Sequence, residues 1–310
     1  MQKIVVVGPG ALGCLFAGHL SRTAEVWLLD HDLLRAERIM QQGGIFCEGF
    51  DQWNAKIPVT AKSEDIGIVD LVVLCTKSHD AGKALMHAKA VIGENTVVLS
   101  VQNGIENVPF IENVVGKERI LVGVTHMAAI LKGEGRIQQA FDGPTVVGAL
   151  TGKKSKSLMK LKKLFLGSEL KIKVSDNIRG LLWSKLIVNV GINALSAITR
   201  LENGLLLKHD GTTSLMKAAV EEASKVARRK RITLLYKDPV KAVRKACHEF
   251  RHNRSSMLQD ILKEKRTEID AMNGMIVQEA KKYKIAVPVN EALCRLVKTL
   301  EQTYELRIKD

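Results

Sequence analysis

An α/β N-terminal domain followed by an all-α C-terminal domain is the fold class that this 310-residue sequence predicts. Three observations carry the prediction. Short β-branched runs alternate with helical segments through the first half. Those runs are continuously apolar, as in a largely parallel sheet covered on both faces. After about Asp176 the strand signals stop and helical periodicity rich in Lys and Glu takes over. The domain boundary is therefore placed there, giving residues 1–176 and 177–310.

In chain order, Lys3–Val7 reads as a strand, Ala11–Arg22 as a helix and Glu25–Asp30 as a second strand. Further strands are expected at Asp70–Cys75, Thr96–Val101, Ile120–Val124, Thr145–Leu150 and Lys171–Val174. From Arg179 onward the pattern is helical, beginning with the mostly apolar run Arg179–Arg200, and Pro239 and Pro288 fit helix starts or connectors.

Composition narrows the class. With 46% hydrophobic residues and 6 Pro the chain can bury a substantial core, which excludes disorder. Cys14, Cys47, Cys75, Cys247 and Cys294 are odd in number and lack CxxC spacing, which fits a reducing compartment. The strand-like run Ile4–Val7 leaves no room for a signal peptide, and no apolar stretch approaches the roughly 20 residues of a membrane span. A soluble cytoplasmic protein with no membrane partner is expected. The net charge of +14 is uneven, −3 on residues 1–150 and +17 on the rest. That asymmetry admits a basic tail, a nucleic-acid surface or an anionic ligand without choosing among them.

Gly8-Pro9-Gly10-Ala11-Leu12-Gly13 follows a strand and opens a helix. In that context Gly8 permits the tight turn, Gly10 lets a pyrophosphate approach the backbone, and Gly13 allows close helix–strand packing. The helix N-terminus then offers free N–H groups to the phosphates. Asp30 ends the second strand 22 positions after Gly8, where ribose hydroxyls would lie. The first domain is thus read as Rossmann-type and dinucleotide-binding. A carboxylate at residue 30 accepts ribose hydroxyls and repels a 2′-phosphate, favouring NADH, although His31 and Arg35 are close enough in sequence to reach a phosphate.

Other candidates carry two readings each. Thr76-Lys77 and Asn103-Gly104 follow strand ends, where open α/β sheets bind ligands, yet a solvated Lys and an Asn-Gly turn explain them equally well. Lys185, Asn189 and Asn193 fall at i, i+4 and i+8 on one side of an apolar helix. Such a stripe is either a solvent edge or a buried row facing a ligand cleft; apolar neighbours nearly all round favour the cleft. Ser256-Met257-Leu258-Gln259 fits a capping box, and Glu268 fits the first turn of another helix. His248-Glu249-Phe250-Arg251-His252 matches HExxH, whose helical spacing puts both histidines on one face. Ser255 and Leu258 break the extended zinc-protease pattern, and Arg244, Lys245, Arg251 and Arg254 crowd the segment with positive charge. No metal is expected.

Taken together, these features resemble the ketopantoate reductase (2-dehydropantoate 2-reductase) family along nearly the whole chain. The most specific matches are WSKLIVNVGINALSAI, residues 183–198, and SSMLQDILKEKRTEIDAMNG, residues 255–274. The resemblance implies a Rossmann-type domain, a helical C-terminal domain, and NADPH-dependent reduction of 2-dehydropantoate to (R)-pantoate in pantothenate and coenzyme A synthesis. It implies that Gly8, Pro9, Gly10, Ala11, Leu12 and Gly13 cradle the dinucleotide, with Lys77, Asn103, Ala129 and Glu268 contributing to its binding. It makes Lys185 the proton donor and places Asn103, Lys185, Asn189, Asn193, Asn203 and Ser256 at the substrate; on its own chemistry, the Glu268 carboxylate suits either orienting Lys185 or orienting a cofactor hydroxyl. Asp30 departs from the family norm, where a basic or neutral polar group accompanies NADPH.

The chemistry is consistent with these roles. Hydride arriving at a ketone carbon develops negative charge on oxygen, which a positioned acid must meet, and an ammonium desolvated in an apolar cleft is suited to do so. The expected partner is a small 2-oxo acid, with another branched 2-oxo acid as the alternative substrate. A dinucleotide-sensing nucleic-acid-binding regulator is the alternative from a different class. Its best support is Lys153, Lys154 and Lys156 with Lys160, Lys162 and Lys163, which lack interleaved aromatics and so read as a solvated face. No nucleic-acid partner is expected, and oligomeric state stays open, a homodimer being one assembly compatible with the sequence.

Overall fold

The apolar run at the start of the chain forms β1 (Lys3–Val7), in which Ile4, Val5, Val6 and Val7 are all buried. In the computed structural model, which describes residues 2–104, 107–151 and 155–306, this strand lies inside an eight-stranded sheet. The chain divides into two units: Met1–Gln102 with Glu106–Ile178, and Asn103–Ile105 with Arg179–Asp310.

In the first unit, β1 is followed by α1 (Ala11–Leu20), β2 (Glu25–Leu29), α2 (Leu33–Gln41), β3 (Ile45–Gly49), β4 (Trp53–Ala55) and β5 (Val59–Thr60). Then come β6 (Leu71–Leu74), α3 (Ala81–His87), β7 (Val97–Ser100), α4 (Val108–Val115), β8 (Ile120–Thr125), β9 (Ala128–Gly133), β10 (Arg136–Phe141), β11 (Thr145–Ala149), α5 (Lys156–Leu164) and β12 (Ile172–Val174). The large sheet has the order β12-β11-β8-β7-β6-β1-β2-β5 and is parallel except where β11 runs antiparallel to β8. From β1 the chain builds outward through β2 on one side and through β6 on the other, which makes β1/β6 a topological switch point. Ligands bind outside the carboxyl ends of strands at such a point.

A second, four-stranded sheet (β4-β3-β10-β9) packs on α1 and was not expected from the sequence. Its strands are short or half-exposed, as in β4 with three residues and β9 with alternating exposure, so they lack the continuous apolar run that marks the large sheet. The lysine segment also resolves. Lys153 and Lys154 lie outside the described residues, whereas α5 buries Leu158, Leu161 and Leu164 and turns its lysines outward. Lys160 pairs with Asp70 at 3.0 Å and donates to the Asn95 carbonyl at 3.0 Å.

Among its described residues the second unit is helical: α6 (Ile178–Thr199, whose first residue belongs to the first unit), a 3-10 turn at Asn203–Leu207, α7 (Asp210–Arg229), α8 (Pro239–Glu249), α9 (Ser256–Leu262), a π-helical turn at Asp270–Gly274, α10 (Met275–Lys282) and α11 (Pro288–Gln302). Contrary to the expectation from sequence, α6 is by length and hydropathy capable of crossing a membrane. Most of it is instead buried in the folded chain, with Trp183, Ile187, Val190 and Leu195 at the centre of the helical core.

One buried carboxylate ties this core together. Glu222 on α7 accepts from the Val289 and Asn290 backbone N–H groups, both at 3.0 Å, and from Asn290 Nδ2 at 2.7 Å. It therefore caps the start of α11 from another helix, where free N–H groups and the positive dipole end favour an anion. Replacing it with alanine strands those buried donors. Glu222→Ala is expected to lose about 2 kcal/mol or more in denaturant unfolding, with Glu222→Gln intermediate. Equal stability of all three proteins would contradict this capping role.

Candidate active site

The glycine loop occupies the switch point. Gly8 has φ +100°, a left-handed conformation, and a Cβ there would lie 2.7 Å from Thr76 Cγ2 at the end of β6. A Cβ on Gly13 would sit 1.9 Å from the Gly8 carbonyl oxygen, so α1 can follow β1 this closely only with glycine at that position. Gly10 differs: nothing lies within 4 Å of its Cβ position. Gly10 is also the N-cap of α1, with no side-chain cap, so the first-turn N–H groups beyond Pro9 present an open face to an anion. The residues present fit a dinucleotide pyrophosphate.

Asp30 lies one residue beyond β2, buried to 1% exposure, and its carboxylate is already engaged. Arg35 Nε donates to Oδ2 at 2.6 Å and Arg35 Nη2 to Oδ1, while Oδ1 also accepts from the His31 N–H at 2.7 Å and the Asp32 N–H at 3.2 Å. The sequence reading treated Asp30 as a free acceptor for two ribose hydroxyls and Arg35 as a separate cation. The structure joins them in a bidentate pair, because Arg35 lies in the first turn of α2, five residues on.

Lys77 follows β6 as the N-cap of a short 3-10 turn. A residue not singled out from sequence organises this edge. Gln102 Nε2 donates to the Thr76 carbonyl and Thr76 Oγ1, both at 2.9 Å, and to the Lys77 carbonyl at 3.3 Å. Its Oε1 accepts from Ser100 Oγ at 3.2 Å. The only signal was a lone amide directly after an apolar strand. Ala129 sits elsewhere, on β9 of the small sheet. Burial raises the Cys14 thiol to about 12 and pushes that of Cys75 well up, which leaves both as packing groups rather than nucleophiles.

In the second unit, α6 carries Lys185, Asn189 and Asn193 as its sequence spacing implied. Desolvation pulls the Lys185 ammonium below its ordinary pKa, and the negative charge of Glu268 pushes partly back. Glu268 is 5% exposed, and its Oε2 accepts from Asn103 Nδ2 at 2.9 Å. Asn193 donates through Nδ2 to the Asn189 carbonyl at 3.2 Å, while its Oδ1 accepts from Ser256 Oγ at 3.1 Å and the Met257 N–H at 3.3 Å. The cap of α9 is Ser255, whose Oγ accepts from the Leu258 N–H at 3.1 Å. Capping thus does not account for Ser256, whose hydroxyl turns to Asn193.

Asn203 stands apart from that group. Its Nδ2 donates to the Phe250 carbonyl at 3.3 Å and its backbone N–H to the Asn253 carbonyl at 3.1 Å, holding the turn ahead of Ser255. The HExxH segment lacks the helical geometry that its spacing suggested. Helix α8 ends at Glu249, leaving His252 beyond it, 3.8 Å from Glu202. No cluster of three or more His, Cys, Asp or Glu among the described residues is arranged to hold a metal ion.

Comparison with known proteins places both units. Residues 4–152 match the family model described as ketopantoate reductase PanE/ApbA, and residues 177–301 match its C-terminal counterpart. The 2-dehydropantoate 2-reductase of Pyrococcus horikoshii is 35% identical over 302 residues, covering 97% of this chain and 98% of that protein. A crystal structure of a PanE/ApbA family ketopantoate reductase from Ralstonia eutropha JMP134 superposes with a TM-score of 0.90 at 31% identity, covering 98% of this chain and 100% of that one. The ternary structure of D-mandelate dehydrogenase with NADH and anilino(oxo)acetate superposes with a TM-score of 0.89 at 30% identity, covering 97% and 99%. Similarity along the full length of the chain, with a glycine loop shaped for a dinucleotide, leads to one assignment: the chain belongs to the ketopantoate reductase family of oxidoreductases.

Proposed function

We propose that the protein is a 2-dehydropantoate 2-reductase, reducing 2-dehydropantoate to (R)-pantoate with a nicotinamide cofactor, and so serves pantothenate and coenzyme A synthesis. The observation that carries this reading is the half-buried Lys185, which shares one side of an apolar helix with Asn189 and Asn193. The names of relatives along the whole chain support the substrate.

In this reading Gly8–Gly13 hold the pyrophosphate on backbone N–H groups, with Asp30, Lys77, Asn103, Ala129 and Glu268 proposed as further cofactor contacts. The bound reduced nicotinamide supplies the hydride. As the ketone carbon is reduced, the carbonyl electron pair moves onto oxygen, and Lys185 Nζ delivers a proton to that oxygen. The resulting neutral amine then takes a proton from solvent. Asn189, Asn193 and Ser256 supply the donors and acceptors that suit a carboxylate and a hydroxyl, and Asn103 steadies Glu268, which keeps Lys185 charged. Asn203 acts by holding the turn that leads to Ser256.

A second reading, reduction of another 2-oxo acid, is favoured by the similarity to D-mandelate dehydrogenase. A substrate panel separates the two: higher kcat/KM for 2-dehydropantoate than for aromatic and other branched 2-oxo acids is expected, and the reverse order would select the second. Lys185→Ala is expected to lower kcat by about a hundredfold or more, with cofactor binding retained. Normal turnover by this variant would sink the mechanism. Because the donor must be protonated, the rate should fall as pH rises through the lowered Lys185 pKa, and Glu268→Gln should move that fall to still lower pH.

For the cofactor, NADH is proposed. Asp30 opposes a 2′-phosphate, but Arg35 cancels much of its charge. The NADH-bound relative supports this choice. Arg35→Ala should raise the NADH:NADPH ratio of kcat/KM and Asp30→Ala should lower it; a strong NADPH preference in the unaltered protein would contradict the assignment. The loop itself is tested by contrast. Gly10→Ala should keep the thermal midpoint and weaken cofactor binding at least tenfold, whereas Gly13→Ala should lower the midpoint, since its methyl meets backbone.

A further inference from the structure

Glu268 is carried by a stretch with little regular structure of its own. Helix α9 ends at Leu262, α10 begins at Met275, and between them lies only the π-helical turn Asp270–Gly274. A segment of this kind must be fixed from outside. Besides Asn103, which holds Glu268 itself, four contacts come from one element, the C-terminal helix α11 and the turn after it. Glu301 Oε1 accepts from the backbone N–H of Thr267, the residue before Glu268, at 2.6 Å. The Tyr304 hydroxyl donates to the Lys265 carbonyl at 2.8 Å. Lys298 Nζ reaches Asp270 Oδ1 at 2.6 Å, and Asn290 Oδ1 accepts from Asn273 Nδ2 at 3.0 Å.

These four contacts bracket Glu268 on both sides along the chain. Thr267 is 3% exposed, so its N–H would have little water to turn to if the Glu301 carboxylate were removed. A hydrogen bond between an ionised carboxylate and a backbone N–H is also stronger than a neutral one. The other charged groups at the clamp, Arg266, Asp270 and Lys298, pair among themselves at 3.7 and 2.6 Å. Glu301 alone among them holds main chain next to the catalytic segment.

We infer that Glu301 is a positioning residue for the reductase, fixing Glu268 relative to Lys185 through the Thr267 backbone, with Tyr304 as its second point of hold. The inference rests on the catalytic roles proposed above. Loss of the anchor lets the Glu268 carboxylate drift and weakens the electrostatic push that raises the Lys185 pKa against its burial.

The test compares Glu301→Ala, Glu301→Gln and Tyr304→Phe in the full-length protein, using the substrate and cofactor best turned over in the panel. Glu301→Ala, with wild-type circular dichroism, should lower kcat about tenfold with a smaller change in KM, and should move the alkaline limb of the pH–kcat profile to lower pH. Glu301→Gln still offers an acceptor oxygen to Thr267 and should recover most of both. A purely structural role would alter unfolding without moving the limb. An unchanged limb, a limb moved to higher pH, or a Gln variant as impaired as the Ala variant overturns the inference. Should Glu301→Ala fail to fold, Tyr304→Phe carries the test, with the same direction of shift expected and an unchanged profile overturning it. Lys185→Ala distinguishes the two levels. If it is inactive while Glu301→Ala is normal, only the positioning role fails; if it turns over normally, the catalytic reading itself fails.

Discussion

The placement of one half-buried lysine, Lys185, within electrostatic reach of the buried Glu268 carboxylate is the constraint around which the polar groups of the helical unit are arranged. A lysine on an apolar helix would ordinarily reach for solvent, since burial penalises its charged form. Here burial pulls the pKa of the half-buried Lys185 down on a helix whose other faces form the core, and the negative charge of Glu268 pushes it partly back. The surrounding polar groups then act as a scaffold: Asn103 holds Glu268, and Asn193 holds Ser256.

The cofactor unit solves the opposite problem with little charge of its own. Its first 150 residues are slightly acidic overall, so affinity for an anionic dinucleotide falls to backbone N–H groups at the start of α1 and to the absence of side chains on the loop. The uneven +14 of the whole chain therefore does not mark the nucleotide loop. Much of the excess sits on outer helix faces such as that of α5.

The legible and illegible parts of the molecule divide along physical lines. Strands of the large sheet declare themselves as short apolar runs because both of their faces are buried, and the glycine spacing declares itself because backbone packs against Gly13. The Lys185–Asn189–Asn193 row is readable from helical period alone. The four-stranded sheet was hidden because its strands are too brief or too mixed to show a period. The Asp30–Arg35 pairing was hidden because spacing gives proximity without side-chain direction. Gln102 and Glu301 were unreadable for a further reason: each acts on backbone atoms at the far end of a long side chain, and Glu301 lies 34 residues from its partner. Ser256 shows the converse, since a capping pattern one residue out of register concealed a side chain that was free for other use.

The π-helical turn has a consequence for how this chain tolerates change. Such a turn spans one residue more per hydrogen bond than the α-helix that follows it. Deleting a single residue within Asp270–Gly274 would bring this stretch to the spacing of α10, which follows it directly. It would also swing everything before the turn by about 100° around the helix axis, Glu268 included. Local regularity and correct placement of the carboxylate are thus in competition at this point, and length in this stretch should be far less negotiable than residue identity.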